Sequence, residues 1–285
     1  MKNKNRVLVI GGTGRLGRPV VDKLLLAGFN VRVLTRDPVR ASQNLPEEVE
    51  IYHGNVEDRS SLIDPMRDCD GIHLNLNGAA QKRRYFEIEY EGTLNVVRMA
   101  ENSGVKHITM ISGSTVNDEI KLDFVQAKAK AEKVLLESKI NATIFRASAF
   151  METIPMMIRG PFGIVLGKQP YPFNLVSAKE FAEKVALVFD SPEKFANVIL
   201  QAYGPEKLYL KVALKSYVKI KAPGKLVLQV PLFMMWLPSK FMGSEIAHIY
   251  DLTKHFEDVP EPASDSISTD LLGSLKITFD SWLKE

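Results

Sequence analysis

The chain has 285 residues, 45% of them hydrophobic and 25% charged, with a formal net charge of +3. That size suits one large folded unit or a unit with a smaller lobe, and so small a charge carries no nucleic-acid signature. The single cysteine, Cys69, excludes an internal disulfide and a cysteine-based metal cluster, and fits a reducing compartment.

Residues 1–6 run straight into the first apolar segment, which leaves no room for a signal peptide and predicts a cytoplasmic protein. Val7–Ile10 reads as a buried strand. It enters a turn with glycines at Gly11, Gly14 and Gly17, after which Leu16, Val20, Val21, Leu24 and Leu25 recur at helical spacing. A second apolar segment, Val31–Leu34, ends in Thr35-Arg36. Strand, glycine turn, helix and strand within about 30 residues form the dinucleotide-binding unit. Gly11 permits the tight turn, Gly14 admits a pyrophosphate, Gly17 lets helix and strand close, and the amides at the helix start hold the anion. The expected phosphate-loop residues are therefore Gly11, Thr13, Gly14, Arg15, Leu16 and Gly17.

Arg36 refines the cofactor. An NAD site places an acidic residue at the end of the second strand, whereas a basic one favours the 2′-phosphate of NADP. NADP(H) is accordingly preferred over NAD(H). Arg15 adds positive charge, Asp37 lies past the strand end and is expected to point elsewhere, and Arg40 reads as solvated surface.

Strand and helix signals then alternate. Val49–His53 is a third strand ending at Gly54-Asn55-Val56, and Asp70–Leu76 a fourth ending at Asn77-Gly78. A helix over about Tyr85–Ser103, a fifth strand at His107–Ile111, a helix over Leu122–Ser138 and a sixth strand at Ala142–Arg146 follow. Such alternation predicts a Rossmann-type, doubly wound parallel sheet. Ligands bind at the carboxyl ends of its strands, so residues 54–56, 75–78 and 112–115 should line one crevice.

After Arg146 prolines and glycines crowd residues 155–172. A strand-like Phe173–Val176, a helix over Lys179–Phe189 and a strand over Asn197–Tyr203 return to the sheet. Residues 1–152, joined by about 174–203, are expected to form the dinucleotide domain. Residues 153–173 and 204–285 would form a smaller, mostly helical substrate or partner lobe whose Phe279, Trp282 and Leu283 pack down. Lysines at 211, 215, 219, 221 and 225 precede the apolar run Leu226–Leu237, which is too short to span a membrane and contains Pro231. A basic helix face followed by a buried segment is the preferred reading there, with docking to a membrane surface or a protein partner as the alternative.

With these residues in place, the chain resembles the atypical and extended short-chain dehydrogenase/reductases, particularly the NmrA-like branch. The likeness covers the first 150 residues well. It implies that Gly11, Gly14 and Gly17 form the phosphate loop and Arg36 the 2′-phosphate site. It also implies that Asn55 and Val56 edge the adenine, that Asn75, Leu76 and Asn77 border the ribose, and that Ser112 lies on the nicotinamide side. Phe150 would turn the chain from the sixth strand into the lobe and touch the cofactor. Reductases of this kind commonly carry Tyr-x-x-x-Lys in the helix after the fifth strand. Here the segment is Phe124-Val125-Gln126-Ala127-Lys128, so the lysine is present and the proton-donating phenol is gone. Lys128 then binds the ribose or acts as the acid itself, against the alternative of a solvated charge. Lys128 and Ser112 are the catalytic candidates.

Tyr85, Tyr90, His73 and His107 stand singly as weak acid candidates, and Glu132 is expected to pair with Lys128 one turn away. No Ser-His-Asp set and no metal site assembles. Two functions remain open. One is an NADPH-dependent reductase of a small apolar acceptor of quinone or enone type, bound between 77–80, 112–116 and 150–162. Phe150, Met151, Ile154, Met156, Met157 and Phe162 would line that pocket, or else belong to the core. The other is a regulator or assembly subunit that holds NADP(H) without turnover.

Overall fold

A computed structural model describes residues 5–78 and 84–285. In chain order the first half runs β1 (Arg6–Ile10), α1 (Gly17–Leu26), β2 (Asn30–Thr35), α2 (Pro38–Asn44), β3 (Glu50–His53), α3 (Ile63–Met66), β4 (Gly71–Leu74), α4 (Gly92–Ala100), β5 (His107–Gly113), α5 (Asp123–Leu136) and β6 (Asn141–Ala147). The second half runs β7 (Ile158–Arg159), β8 (Phe162–Leu166), α6 (Ala178–Asp190), β9 (Val198–Ala202), α7 (Leu210–Lys221), β10 (Leu226–Val230), α8 (Trp236–Phe241), α9 (Ser244–Asp258), α10 (Ser266–Leu272) and α11 (Phe279–Trp282).

Seven parallel strands form the main sheet in the order β3-β2-β1-β4-β5-β6-β9. Successive residues of β1 feed opposite faces, as a strand requires. Val7 and Val9 join Val20, Leu24, Phe181 and Val185 beneath α1 and α6. Leu8 and Ile10 join Ile72, Leu74, Val96 and Leu135 beneath α4 and α5. The strand order reverses between β1 and β4, the point where sheets of this kind bind ligands in a crevice at their carboxyl ends.

His73 in β4 and His107 in β5 are buried within this sheet, bonded to the hydroxyls of Thr109 and Thr143 at 2.8 Å each. Burial pushes their pKa values down to about 3 and about 4. The unfolded chain binds protons on both below about pH 6.5 while the native state does not, so stability rises with pH across this window. It should be complete above about pH 6.5 and fall on acidification, each imidazole contributing up to about 1.4 kcal/mol per pH unit. Urea midpoints between neutral and mildly acid pH check this, with His73→Gln expected to flatten the slope.

Three expectations change. The helix from Tyr85 begins with a π-helical turn, Phe86–Glu91, before α4. Phe173–Val176 forms no ladder, because Val176 bridges Phe150 at one end while Phe173 bridges Leu208 at the other. The smaller lobe is helical around a three-stranded sheet, β10-β8-β7, in which β8 pairs parallel with β10 and antiparallel with β7.

The lobe's core joins Met151, Ile154, Val165, Leu214 and Val218 to Phe279 and Leu283. Carboxylates tie this C-terminal segment down. Glu180 accepts the amides of Lys276 and Ile277 at 2.6 and 2.8 Å, Glu206 that of Phe279 at 2.6 Å, and Glu152 the Trp282 indole N–H at 3.1 Å. The run Leu226–Leu237 is not the buried segment preferred above. α7 covers one face of the small sheet, where Val227 packs, and leaves Leu226 and Leu228 on the other, exposed with Phe233, Trp236 and Leu237.

Candidate functional site

The glycine loop joins β1 to α1 at the reversal of strand order. Gly11 has φ +87°, and a Cβ there would lie 2.3 Å from the Asn75 carbonyl oxygen. A Cβ on Gly17 would lie 2.1 Å from the Gly11 oxygen. Gly14 donates its amide to that same oxygen at 3.1 Å. Thr13, Gly14 and Arg15 are exposed, and Leu16 is half-buried. Among the described residues no side chain caps α1 at Leu16, an arrangement that suits a phosphate at this helix start. A loop this tight, which side chains would fill, fits a dinucleotide pyrophosphate.

Arg36 is exposed at the end of β2. Asp37 turns away, its carboxylate accepting the Arg40 amide at 3.0 Å as the cap of α2. Across the crevice mouth Asn55 donates to Glu57 at 2.9 Å, and Glu57 pairs with Arg84 at 2.5 Å. The Asn55 hydrogen bond first, and then the charges of Arg84 and Arg36, hold the Glu57 carboxyl below its ordinary range. The Val56 side chain lies in the core, and its carbonyl accepts from Asn95 at 2.9 Å. Any adenine contact at Val56 is therefore through backbone.

The crevice floor is Asn75-Leu76-Asn77-Gly78. Asn75 is held to β1 by its amide on the Ile10 carbonyl at 3.0 Å. Lys128 lies over this floor and is not a solvated charge. Its ammonium donates to the carbonyls of Leu76 at 3.1 Å and Ile111 at 3.4 Å and pairs with Glu89 at 2.9 Å, the two side chains being 19% and 6% exposed. Glu89 in turn accepts the Gly78 amide at 2.7 Å. Sequence reasoning missed Glu89: it stands among Glu87 and Glu91, and only the π-helical turn aims it inward.

Glu132 does not pair with Lys128. It accepts the Ser112 hydroxyl at 2.5 Å and binds Arg146 of β6 through both oxygens, at 3.1 and 2.6 Å. The hydroxyl proton of Ser112 is thus committed to Glu132, and Ser112 braces the floor instead of donating to a ligand.

Phe124 is the residue at which the resemblance would place the phenol. Its ring meets His248 and His255 edge-on at 5.7 Å and Tyr85 at 6.1 Å. Tyr85 is buried and shares a 2.6 Å hydrogen bond with His248. It is therefore no isolated tyrosine. Of the expected apolar pocket, Phe150 packs on Phe181 at 5.5 Å and Met151 and Ile154 lie in the lobe's core, while Met156 and Phe162 are exposed. The Phe150 ring accordingly points into the core and could meet a cofactor only through backbone. The Arg15 guanidinium lies against the Met156 sulfur and links loop to lobe. Ala79 and Ala80, expected to border the substrate, fall outside the described residues.

A family model described as NAD(P)H-binding matches residues 11–191. The chain is 28% identical over 148 residues to the photosystem II assembly factor Ycf39 of Synechocystis sp., covering 52% of this chain and 45% of that protein. It is 25% identical over 289 residues to the chloroplastic divinyl chlorophyllide a 8-vinyl-reductase of Arabidopsis thaliana, covering 90% and 66%. The chain thus spans about half to two thirds of the length of these curated relatives. The fold superposes on the NADPH complex of quinone oxidoreductase QOR2 from Escherichia coli with a TM-score of 0.74 at 16% identity, covering 98% of both chains. With that family model covering more than half of the chain, the protein belongs to the NAD(P)H-binding family it describes.

Proposed function

We propose that this protein is an NADPH-dependent reductase of a small apolar acceptor, of quinone or conjugated-alkene type. The observation that carries this reading is Lys128, paired with Glu89 and bonded to the carbonyls of Leu76 after β4 and Ile111 in β5. NADPH, when bound, supplies hydride. The loop from Gly11 to Gly17 holds its pyrophosphate and Arg36 its 2′-phosphate. Lys128 is a positioning residue: it fixes the carbonyls of Leu76 and Ile111 that frame the ribose side. Ser112, Glu132 and Arg146 brace the floor behind it. An acceptor that takes hydride first can draw its proton from water, which the loss of the phenol at Phe124 requires. Reductases among the relatives and the quinone oxidoreductase fold support the class.

One observation favours a second reading, in which NADP(H) is held without turnover by a regulator or assembly subunit. Lys128 has three protons and three partners, and Ser112 is bonded to Glu132, so both acid candidates are engaged. The assembly factor among the relatives agrees with it. NADPH oxidation by the purified protein across a panel of quinones and enones separates the two. Tight NADPH binding with no turnover of any acceptor overturns the reductase.

Arg36→Ala tests the cofactor assignment. Hydrogen bonds to a charged group contribute about 1.5–3 kcal/mol, so NADPH affinity should fall roughly ten- to hundredfold while NADH affinity holds. Equal losses for both, by fluorescence titration, would remove Arg36 from the 2′-phosphate site.

A further inference from the structure

Residues 207–243 contain seven lysines and no aspartate or glutamate, so a chain of net charge +3 carries −4 everywhere else. Glu206 and Glu245 are the carboxylates that bound this stretch. Such segregation is an electrostatic footprint and not an average surface.

The same stretch holds the largest unburied apolar side chains of the lobe. Phe241 is 80% exposed, Phe233 77%, Leu226 64%, Leu237 57%, Met234 56% and Trp236 54%. They follow one another through β10, the 3-10 turn Leu232–Met235 and α8. Beside them a groove of about 490 Å³ is lined by Lys215, Lys219 and Lys225 over Val218, Leu226 and Val227. Lys215 and Lys219 stand one helical turn apart on α7 and face the same way. Lys225 and Lys211 hydrogen-bond to neutral acceptors, the Gly160 carbonyl and Gln229, which do not offset their charge.

We propose that this face, β10 with the Leu232–Met235 turn and α8, docks the protein on an anionic lipid surface. Lysine beside Trp, Phe and Leu is the composition of segments that lie in the membrane interface, where aromatic rings enter the headgroup boundary and ammonium groups meet lipid phosphates. Protein interfaces deplete lysine from their cores. A second copy is disfavoured too, because a two-fold contact there would set Lys215, Lys219 and Lys225 against their own counterparts. Among the described residues no helix is long and apolar enough to cross a membrane, so the contact is to the surface.

Vesicle co-sedimentation tests this, using phosphatidylcholine with and without phosphatidylglycerol, together with Trp236 emission. Trp282 packs on Phe279, so Trp236→Phe identifies the reporting indole. Retention on anionic vesicles with a blue shift, weakened by added salt, is expected. Removing two charges, Lys215→Gln with Lys219→Gln, should weaken retention about thirtyfold. Phe233→Ser with Phe241→Ser should weaken it about a hundredfold. Both pairs lie on the surface, and circular dichroism checks that each variant stays folded. The proposal is overturned by no retention on anionic vesicles or by equal retention on neutral ones. It is equally overturned by a concentration-dependent dimer that the Phe233/Phe241 variant dissolves.

Discussion

Gly11→Ala is expected to abolish measurable NADPH binding and to lower the melting temperature. The left-handed φ of +87° alone costs an L-residue about 1–2 kcal/mol. The new Cβ would meet the Asn75 carbonyl at 2.3 Å, a backbone atom that cannot rotate aside. Asn75 is itself bonded to Ile10, so relief requires the ends of β1 and β4 to separate. A total near 3 kcal/mol is consistent with strain at a special backbone position. For a chain of this size that is roughly 6–12 °C in Tm. Gly14→Ala supplies the contrast, because its Cβ would meet only the Gly11 oxygen, at 3.3 Å. It should leave Tm nearly unchanged and act on cofactor affinity. Equal thermal shifts for the two variants, by differential scanning calorimetry, would show that the loop is not strained as described.

The second large effect is expected at Lys128. Lys128→Met leaves the Glu89 carboxylate buried without its counter-ion, and breaking one side of a buried pair costs about 3–5 kcal/mol. A solvated helix lysine would change stability by less than about 0.5 kcal/mol. Urea unfolding distinguishes these outcomes. Adding Glu89→Gln should restore much of the loss, since a neutral amide can still accept from the Gly78 amide. If the double variant is as unstable as Lys128→Met alone, the ion pair is not the source of the effect. In the reductase reading the double variant should also turn over slowly, because the carbonyls of Leu76 and Ile111 still lack their donor.

The β1–α1–β2 unit and the parallel sheet were legible because each rests on local periodicity and on glycines that the chain itself displays. What was illegible depends on residues far apart in sequence. Glu89 meets Lys128 across 39 positions and only through a π-helical turn that side-chain pattern does not announce. The i,i+4 rule proposed Glu132 for Lys128, yet Arg146 on a neighbouring strand outbids a helix neighbour by offering two hydrogen bonds. His248 and His255 reach Phe124 from a helix more than a hundred residues away. The apolar run at 226–237 was misread for another reason. Hydrophobic sequence signals burial against something, and β10 borders a small sheet with only one covered face.

The tie between Met151 or Ile154 and Phe279 or Leu283 bears on how the chain folds as it is made. Strands β1 to β6 can pair once Ala147 has left the ribosome, each with a partner already synthesised or soon to come. The lobe must wait. Its apolar centre stays open through the emergence of well over a hundred further residues, until α11 arrives and the carboxylates of Glu152, Glu180 and Glu206 receive it. A nascent chain therefore passes through a long stage with a formed nucleotide half and a gaping second half, the stage at which aggregation and chaperone capture compete with completion. Deleting residues 276–285 would remove these ties and leave the lobe's centre open.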